Sequence, residues 1–229
     1  VTFFEPEMDA ALRYRRALQN DLRDALNQEH LTMVYQPQVD GSNRVTGVEA
    51  LMRWNHPVRG AISPAVFVPL AEECGLIDQL GWFALRQAFK DSSRWPNLKV
   101  GVNVSASQLR LKGFVDGVAQ LVEEHGIDPR RFELEITEGL LLADTSDTHE
   151  TLGALRQMGF SIALDDFGTG YSSLSYLQRF PINRIKIDRS FVSNLGVESE
   201  AEEVVAAIVR LARALGMAVV AEGVETYEQ

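Results

Sequence analysis

Six short apolar runs of β type in this chain each end in residues that can bind a metal ion or move a proton. They read VTGVEALMRW, VGVNVS, FELEITE, SIALDDFGTG, RIKIDRS and AVVAEGVE, and they carry Glu49, Asn103, Glu135, the pair Asp165 and Asp166, Lys186 and Glu222. In a (β/α)8 barrel, the carboxyl ends of the strands converge on one pocket, where such barrels place their chemistry. The pattern therefore predicts one acidic site built from strand ends.

The run RIKID indicates why a barrel is favoured over a flat sheet. Period-2 alternation places Arg184, Lys186 and Asp188 on one face of the strand and Ile185 and Ile187 on the other. A parallel strand covered by helices on both faces is normally apolar on both, so the charged face needs a different environment. The mouth of a barrel provides that environment.

Helical and strand patterns alternate from Lys99 onward, with Gly126, Gly159 and Gly216 closing helical patterns. This alternation predicts a largely parallel α/β sheet. The first two strand patterns, LTMVYQPQVD and VTGVEALMRW, are separated only by GSNR, which is too short for a helical crossover, so this pair should be antiparallel. We count seven barrel strands, and no eighth strand precedes Gln229.

The segment before the first strand is amphipathic and highly charged, with leucines among many charged residues between Met8 and Gln28. It predicts a connector or entry helix within residues 1–29, followed by one domain over residues 30–229. A chain of 229 residues with 45% hydrophobic content is long enough for one large core.

Charge and cysteine content exclude several classes of partner. A formal net charge of −10 and a pI near 4.9 offer no basic surface for duplex nucleic acid or anionic lipid. The single cysteine, Cys74, excludes an internal disulfide and favours a reducing, cytoplasmic setting. Because no run of about 18 apolar residues occurs, we expect no membrane contact within this segment.

Oxygen ligands dominate the predicted site. Glu49, Asn103, Glu135, Asp165 and Asp166 supply carboxylates and one amide oxygen, which suit Mg2+ or Mn2+. The histidines fall in turns or at helix ends, where we expect exposed side chains, and this disfavours zinc. They are His30, His56, His125 and His149.

The adjacent pair Asp165-Asp166 is the most informative part of this set. Neighbouring side chains at a strand end diverge, so each carboxylate can face a different ion, or one can bridge two ions about 3.5 to 4 Å apart. A lone aspartate before FGTG would more simply cap a turn or a helix. Similar residues at five strand ends favour the metal site.

Five further residues belong to the predicted site, and four of them have two interpretations. Lys186 either orients a water and neutralises a phosphate, or only extends its charge toward solvent. Glu222 is either a metal ligand or the general base for an attacking water. Arg53 suits a phosphate contact through its planar guanidinium, and Glu225 suits a substrate contact or plain loop surface. Glu138 either anchors the mobile-type loop FGTGYSS or starts the next helix.

Together these motifs resemble the EAL family of cyclic di-GMP phosphodiesterases. The likeness runs in order through YQPQV at 35–39, EALMRW, NVS, ELEITE, DDFGTGYSSL, KIDRSFV and AEGVE, and covers nearly the whole chain. It implies an α/β fold, a modified (β/α)8 barrel of the TIM type with an antiparallel first strand. The family's eighth strand, with its QGY-like motif, is not present in this sequence. We therefore expect residues 30–229 to be a C-terminally incomplete EAL domain.

The resemblance also implies roles for individual residues. Lys186 matches the family's water-orienting lysine, and Glu138 matches the glutamate that holds the DDFG loop. Two ions, Mg2+ or Mn2+, would activate a water for in-line attack and open cyclic di-GMP to linear pGpG. The metal-site matches are Glu49, Asn103, Glu135, Asp165, Asp166 and Glu222, and the residues expected near the nucleotide are Gln36, Leu51, Arg53 and Asp188.

Partners and alternatives complete the interpretation. The resemblance implies a homodimer formed near the DDFG loop and an upstream GGDEF or sensory domain. The main alternative is a catalytically silent cyclic di-GMP receptor, which would be expected to lack metal ligands or the lysine, whereas this chain has all of them. A different metal-dependent barrel enzyme, acting on an enolisable acid, fits the lysine and carboxylates but not the EAL and DDFGTGYSS motifs.

Overall fold

The computed structural model describes residues 6–28, 30–142, 146–169, 174–197 and 199–229. Its strands are β1 (Leu31–Val39), β2 (Val45–His56), β3 (Gly60–Ile62), β4 (Lys99–Asn103), β5 (Phe132–Thr137), β6 (Ser161–Phe167), β7 (Arg184–Ile187) and β8 (Ala218–Ala221). Its α-helices are α1 (Pro6–Asn27), α2 (Pro64–Glu73), α3 (Ile77–Asp91), α4 (Ala106–Leu109), α5 (Phe114–His125), α6 (Glu138–Leu142), α7 (Ser146–Gln157), α8 (Leu174–Arg179), α9 (Arg189–Val192) and α10 (Ser199–Ala214). Within these ranges, no helix has the length and apolar character needed to cross a membrane.

The sheet follows the order β1-β2-β4-β5-β6-β7-β8. Strands β1 and β2 are antiparallel, and each later neighbouring pair along this path is parallel, which confirms the predicted α/β barrel with an antiparallel first strand. Lys186 on β7 contacts Glu49 on β2 across three intervening strands, which shows that the sheet curls. The part of the chain that the structure describes contributes seven strands to this path, which forms part of a barrel.

One strand was not predicted. The short strand β3 pairs antiparallel with the end of β2 and lies off the main path. It begins at Gly60, whose φ of 73° places it in the left-handed region that favours glycine. A three-residue strand is too short to produce a recognisable alternation, so only the turn residues before it carried a signal.

Local capping signals fix the ends of the helices that cover the sheet. The Ser63 side chain accepts a hydrogen bond from the Ala65 backbone N–H at 3.3 Å, and Pro64 starts α2. Gly126 takes a φ of 60° and ends α5. The large core lies between these outer helices and the sheet, and includes Phe89 and Phe132. These signals confirm the predicted helix–strand alternation.

The entry helix α1 belongs to a second apolar core. Leu18, Leu22 and Ala25 are buried with Trp54 of β2 and Phe67 of α2. The helix therefore packs against the strand that carries Glu49 rather than standing apart from the domain. The predicted boundary between residues 29 and 30 stays a prediction.

The expectation of exposed histidines is wrong for His56, which is only 9% exposed. Its Nδ1 accepts the backbone N–H groups of Val58 at 3.0 Å and Arg59 at 3.1 Å. Its Nε2 therefore carries the proton and donates to Asp21 Oδ2 at 3.1 Å. The turn from β2 to β3 needs a buried acceptor for two N–H groups, and His56 supplies it while linking β2 to α1.

The packing of α1 predicts that Leu22→Ala lowers the free energy of unfolding by about 2 to 5 kcal/mol, because Leu22 is fully buried. Denaturant unfolding measures this loss. The matched control is Leu111→Ala, since Leu111 is 37% exposed and its truncation should cost clearly less. Equal effects of the two substitutions would contradict the burial of α1 against the barrel.

Candidate metal centre and active site

Lys186 lies at the centre of an acidic cluster and is 1% exposed. Its ammonium Nζ contacts four carboxylates, at 2.6 Å from Glu135 Oε2, 2.7 Å from Glu222 Oε1, and 3.1 Å from both Glu49 Oε2 and Asp165 Oδ1. Burying a lysine side chain costs free energy unless its charge is paired. These contacts bring together five of the residues that the sequence predicted.

Four strands deliver the four carboxylates to this point. Glu49 comes from β2, Glu135 from β5 and Asp165 from β6. Glu222 follows β8 directly, and its backbone N–H donates to the Ile187 carbonyl at 3.0 Å, which extends the pairing with β7 by one step. The convergence of strand ends is the geometry that the barrel prediction required.

A β-bulge turns both aspartates of the DDFG motif toward the site. Leu164 pairs with Ile185 and Phe167 pairs with Ile187, so Asp165 and Asp166 together oppose Lys186. Adjacent residues of a regular strand point to opposite faces. Asp166 instead has a φ of 53°, a left-handed conformation that costs a non-glycine residue about 1 to 3 kcal/mol. Such strain is characteristic of functional sites.

The carboxylates form two groups of three that share Asp165. Oxygens of Glu49, Glu135 and Asp165 lie within 4.8 Å of one another, and so do oxygens of Asp165, Asp166 and Glu222. Asn103, the sixth predicted ligand, lies beside the first group, where its Nδ2 donates to Glu49 Oε1 at 3.3 Å. One shared carboxylate between two groups is the arrangement that bridges two neighbouring ions.

One buried oxygen of the cluster is left without a partner. Among the described residues, Glu135 Oε1 has no hydrogen-bond donor, although the side chain is fully buried. A Cβ atom added to Gly101, on the neighbouring strand β4, would overlap this oxygen. The glycine therefore keeps space beside a carboxylate oxygen that lacks a donor. A hard cation bound by oxygen ligands fits these residues.

The electrostatics of the cluster also fit a cation. Burial, together with the charges of Glu49 and Asp165, raises the pKa of Glu135 well above its ordinary value despite the opposing charge of Lys186. Burial likewise raises the pKa of Asp166 and that of Glu222, again with neighbouring carboxylates adding to the shift. Five carboxylates against one ammonium leave an excess of negative charge that divalent cations would neutralise.

The neighbouring carboxylates keep the Lys186 ammonium charged. Burial opposes the charged form, but the four carboxylates outweigh burial and raise the pKa of the Lys186 ammonium above its ordinary value. The side chain therefore stays protonated and acts as a hydrogen-bond donor. It is not available as a base.

Behind the bulge, Glu138 holds the turn of the DDFG motif. This buried residue starts α6, and its Oε2 accepts the Gly168 backbone N–H at 3.1 Å. The ring of Phe191 packs so closely on the other side that a Cβ at Gly168 would lie 2.8 Å from Cε2. Among the described hydrogen bonds and ion pairs, Glu138 is joined to this turn and to none of the cluster carboxylates. The predicted loop FGTGYSS is described only as far as Thr169, because residues 170–173 lie outside the described residues.

The residues predicted to surround a nucleotide lie at the edge of this cluster rather than within it. Gln36 pairs in register with Glu49, and Leu51 and Arg53 follow Glu49 on the same face of β2. Asp188 caps α9 by accepting the Ser190 N–H at 3.0 Å, and its charge helps raise the pKa of Asp166.

Glu225 is exposed and forms an ion pair with Arg189 at 2.8 Å. Arg53 Nη1 donates to the Met52 carbonyl at 2.9 Å, which leaves its remaining N–H groups available. Among the described contacts, neither residue forms an ion pair with the carboxylate cluster. Their roles in substrate binding stay predictions.

A second buried ion pair lies deeper in the barrel and was not predicted. Arg184 Nη1 donates to Glu133 Oε1 at 2.9 Å, between β7 and β5. The alternation of RIKID had placed Arg184 on the same face as Lys186, but its partner stands 51 positions earlier in the chain. The alternating charges of FELEITE were the signal that pointed to Glu133.

Comparison with known proteins supports one family. The family model described as the EAL domain matches residues 19–229. The chain is 42% identical to the bifunctional diguanylate cyclase/cyclic di-GMP phosphodiesterase MucR of Pseudomonas aeruginosa, over 99% of this chain and 34% of that protein. It is 41% identical to a second P. aeruginosa protein, named as a cyclic di-GMP phosphodiesterase, over 98% of this chain and 39% of that protein.

A solved structure gives the same result. The structure titled as the PaMucR phosphodiesterase in complex with c-di-GMP matches with a TM-score of 0.87 and 42% identity, covering 92% of this chain and 88% of that one. The chain spans about a third of the length of the curated relatives that it matches. On the matching family model, the shared fold and these relatives, the chain belongs to the EAL domain family.

Proposed function

We propose that this chain is a metal-dependent phosphodiesterase domain that hydrolyses cyclic di-GMP to linear pGpG with two bound divalent cations, Mg2+ or Mn2+. The observation that carries the proposal is the pair of carboxylate groups that share Asp165 around the buried ammonium of Lys186. The names of the relatives, and the c-di-GMP complex of a solved relative, support the choice of substrate.

The proposed reaction adds one water across a P–O3′ bond of the cyclic dinucleotide. The products are a 5′-phosphate and a free 3′-hydroxyl, which together define pGpG. Divalent cations bound at the carboxylates supply a lower pKa for water and charge neutralisation for the phosphate. The side chains that would hold them are Glu49, Asn103, Glu135, Asp165, Asp166 and Glu222.

Lys186 and Glu222 have different roles toward the attacking water. Lys186 keeps its proton, because four carboxylates surround it, so it orients the attacking water as a donor. Glu222 is the most exposed of these four carboxylates, at 27% of its side chain, and its raised pKa suits a group that accepts a proton. We infer that Glu222 combines a ligand role with that of the general base.

The remaining predicted residues bind and order the substrate. Arg53 has guanidinium N–H groups left for a phosphate after its contact with the Met52 carbonyl. Gln36 and Leu51 flank Glu49 on β1 and β2, where one guanosine would lie. Glu138 acts indirectly, since it fixes the Gly168 turn and so the two aspartates before it.

The chain is proposed to work inside a longer protein. It spans about a third of its curated relatives, one of which is named as bifunctional. An upstream GGDEF or sensory domain, a homodimer formed near the DDFG loop, and a cytoplasmic location stay predictions. The alternative is a silent cyclic di-GMP receptor, which would be expected to lack metal ligands or the lysine, whereas the sequence of this chain contains all of them.

The direct test is incubation of the protein with cyclic di-GMP and Mg2+ or Mn2+, with products separated by chromatography. We expect pGpG to form and its formation to stop when a chelator removes the metal. We also expect Lys186→Met to lower kcat by roughly 100- to 1,000-fold, because the donor to the attacking water is lost. Its affinity for Mn2+ should not fall, since loss of a positive charge reduces repulsion of the cation.

The matched control is Lys90→Met, because Lys90 is an exposed lysine in the last turn of α3, outside the cluster. This variant should keep the wild-type rate. Tight nucleotide binding without turnover in the wild-type protein would favour the receptor alternative. Normal turnover by Lys186→Met would remove the assigned role of the lysine.

The space beside Glu135 gives a second prediction. Gly101→Ala should weaken Mn2+ binding by roughly 10- to 100-fold, because the added Cβ displaces a carboxylate of the site. The control is Gly153→Ala on α7, where no described atom lies within 4 Å of the added Cβ. Titration calorimetry measures both affinities without nucleotide. Unchanged binding by Gly101→Ala would exclude Glu135 from the metal site.

A further inference from the structure

The buried ion pair between Glu133 and Arg184 lies directly beneath the acidic cluster. The side chains are 3% and 18% exposed, and the Nη1 to Oε1 distance is 2.9 Å. Among the described hydrogen bonds and ion pairs, neither residue is joined to the carboxylates that would bind metal, and the proposed mechanism uses neither of them. A buried pair of this kind needs an explanation, because replacing such a pair by apolar residues often leaves stability unchanged.

The pair repeats the contact of Glu135 with Lys186 one level deeper. Glu133 precedes Glu135 by two residues on β5, and Arg184 precedes Lys186 by two residues on β7. Side chains two residues apart share a face and are about 6.6 Å apart along a strand. Between these strands, β6 contributes Ala163, which pairs in register with both Glu135 and Arg184. Its small side chain leaves room for both contacts to cross.

We propose that Glu133 and Arg184 are positioning residues that keep Lys186 and Glu135 in the metal site by neutralising each other. This inference rests on the proposed metal-dependent function. Without Arg184, the Glu133 carboxylate becomes an unpaired buried anion that attracts the Lys186 ammonium, and Lys186 carries the metal ligand Glu135 out of the cluster with it, because its Nζ lies 2.6 Å from Glu135 Oε2. Without Glu133, the Arg184 guanidinium competes with Lys186 for Glu135. Lys99 also faces Glu133 but is exposed at the start of β4, where water screens its charge.

The test compares Arg184→Met, Arg184→Lys and the double variant Glu133→Gln with Arg184→Met. Calorimetry measures Mn2+ affinity without nucleotide, steady-state kinetics give kcat and KM with cyclic di-GMP, and thermal unfolding checks the folded state. The control is Arg210→Met, which removes an exposed ion pair with Glu203 at 3.9 Å and should change none of these values.

We expect Arg184→Met to weaken Mn2+ binding and lower kcat by roughly 10- to 100-fold each, with little change in KM. In the double variant, Mn2+ affinity and kcat should lie within about threefold of the wild-type values, because both buried charges are gone. Arg184→Lys should also keep Mn2+ affinity and kcat within about threefold of wild type. The single contact with Glu133 depends more on the positive charge than on the planar guanidinium.

A merely structural pair gives a different result. Arg184→Met would then lower only the unfolding temperature, or the double variant would lose at least as much Mn2+ affinity and kcat as Arg184→Met, and either outcome would overturn the proposal. If Arg184→Met does not fold, the double variant and Arg184→Lys still test the proposal. A loss of more than about tenfold in Mn2+ affinity or kcat in either variant overturns it. Absence of turnover in the wild type would count against the proposed function alone, because the Mn2+ measurements still report on the pair.

Discussion

The rest of the site depends on the repulsion between five carboxylates gathered at one end of the barrel. A single buried ammonium, that of Lys186, contacts four of them and cannot balance all five. The raised pKa of Glu135 and the unpartnered oxygen of the same side chain are two signs of this excess charge. Water screens such repulsion between surface carboxylates, but two of these five, Glu135 and Asp165, are buried, and bound cations would offset the repulsion there. The arrangement of these carboxylates therefore fits a site for bound divalent metal.

The barrel supplies this cluster by two devices. Parallel strands bring Glu49, Glu135 and Glu222 to one end of the sheet, as their positions at strand ends require. The bulge then adds an aspartate that a regular strand would turn away, at the cost of a left-handed Asp166. Glu138 and Phe191 fix the turn that follows, so packing outside the cluster maintains strain inside it.

Sequence reasoning found the strands and the residues at their ends because both leave local signals. Apolar runs with polar ends identify Glu49 or Lys186 without knowledge of any partner. The bulge depends on the pairing register of β6 with β7, and the role of Gly101 depends on where the Glu135 side chain lies, so neither was accessible from local pattern. The partners of His56 and Arg184 are 35 and 51 positions away, which explains why the buried histidine and the deeper ion pair were missed. Helices α4, α6 and α9 contain four or five residues and have no measurable periodicity.

The most direct test of a two-cation site is a crystal structure of the protein grown with Mn2+ and measured near the manganese absorption edge. We expect two anomalous peaks about 3.5 to 4 Å apart, with Asp165 contacting both and Lys186 still in contact with both carboxylate groups. A single peak, or peaks that do not contact Asp165, would contradict the shared-carboxylate arrangement on which the proposed chemistry rests.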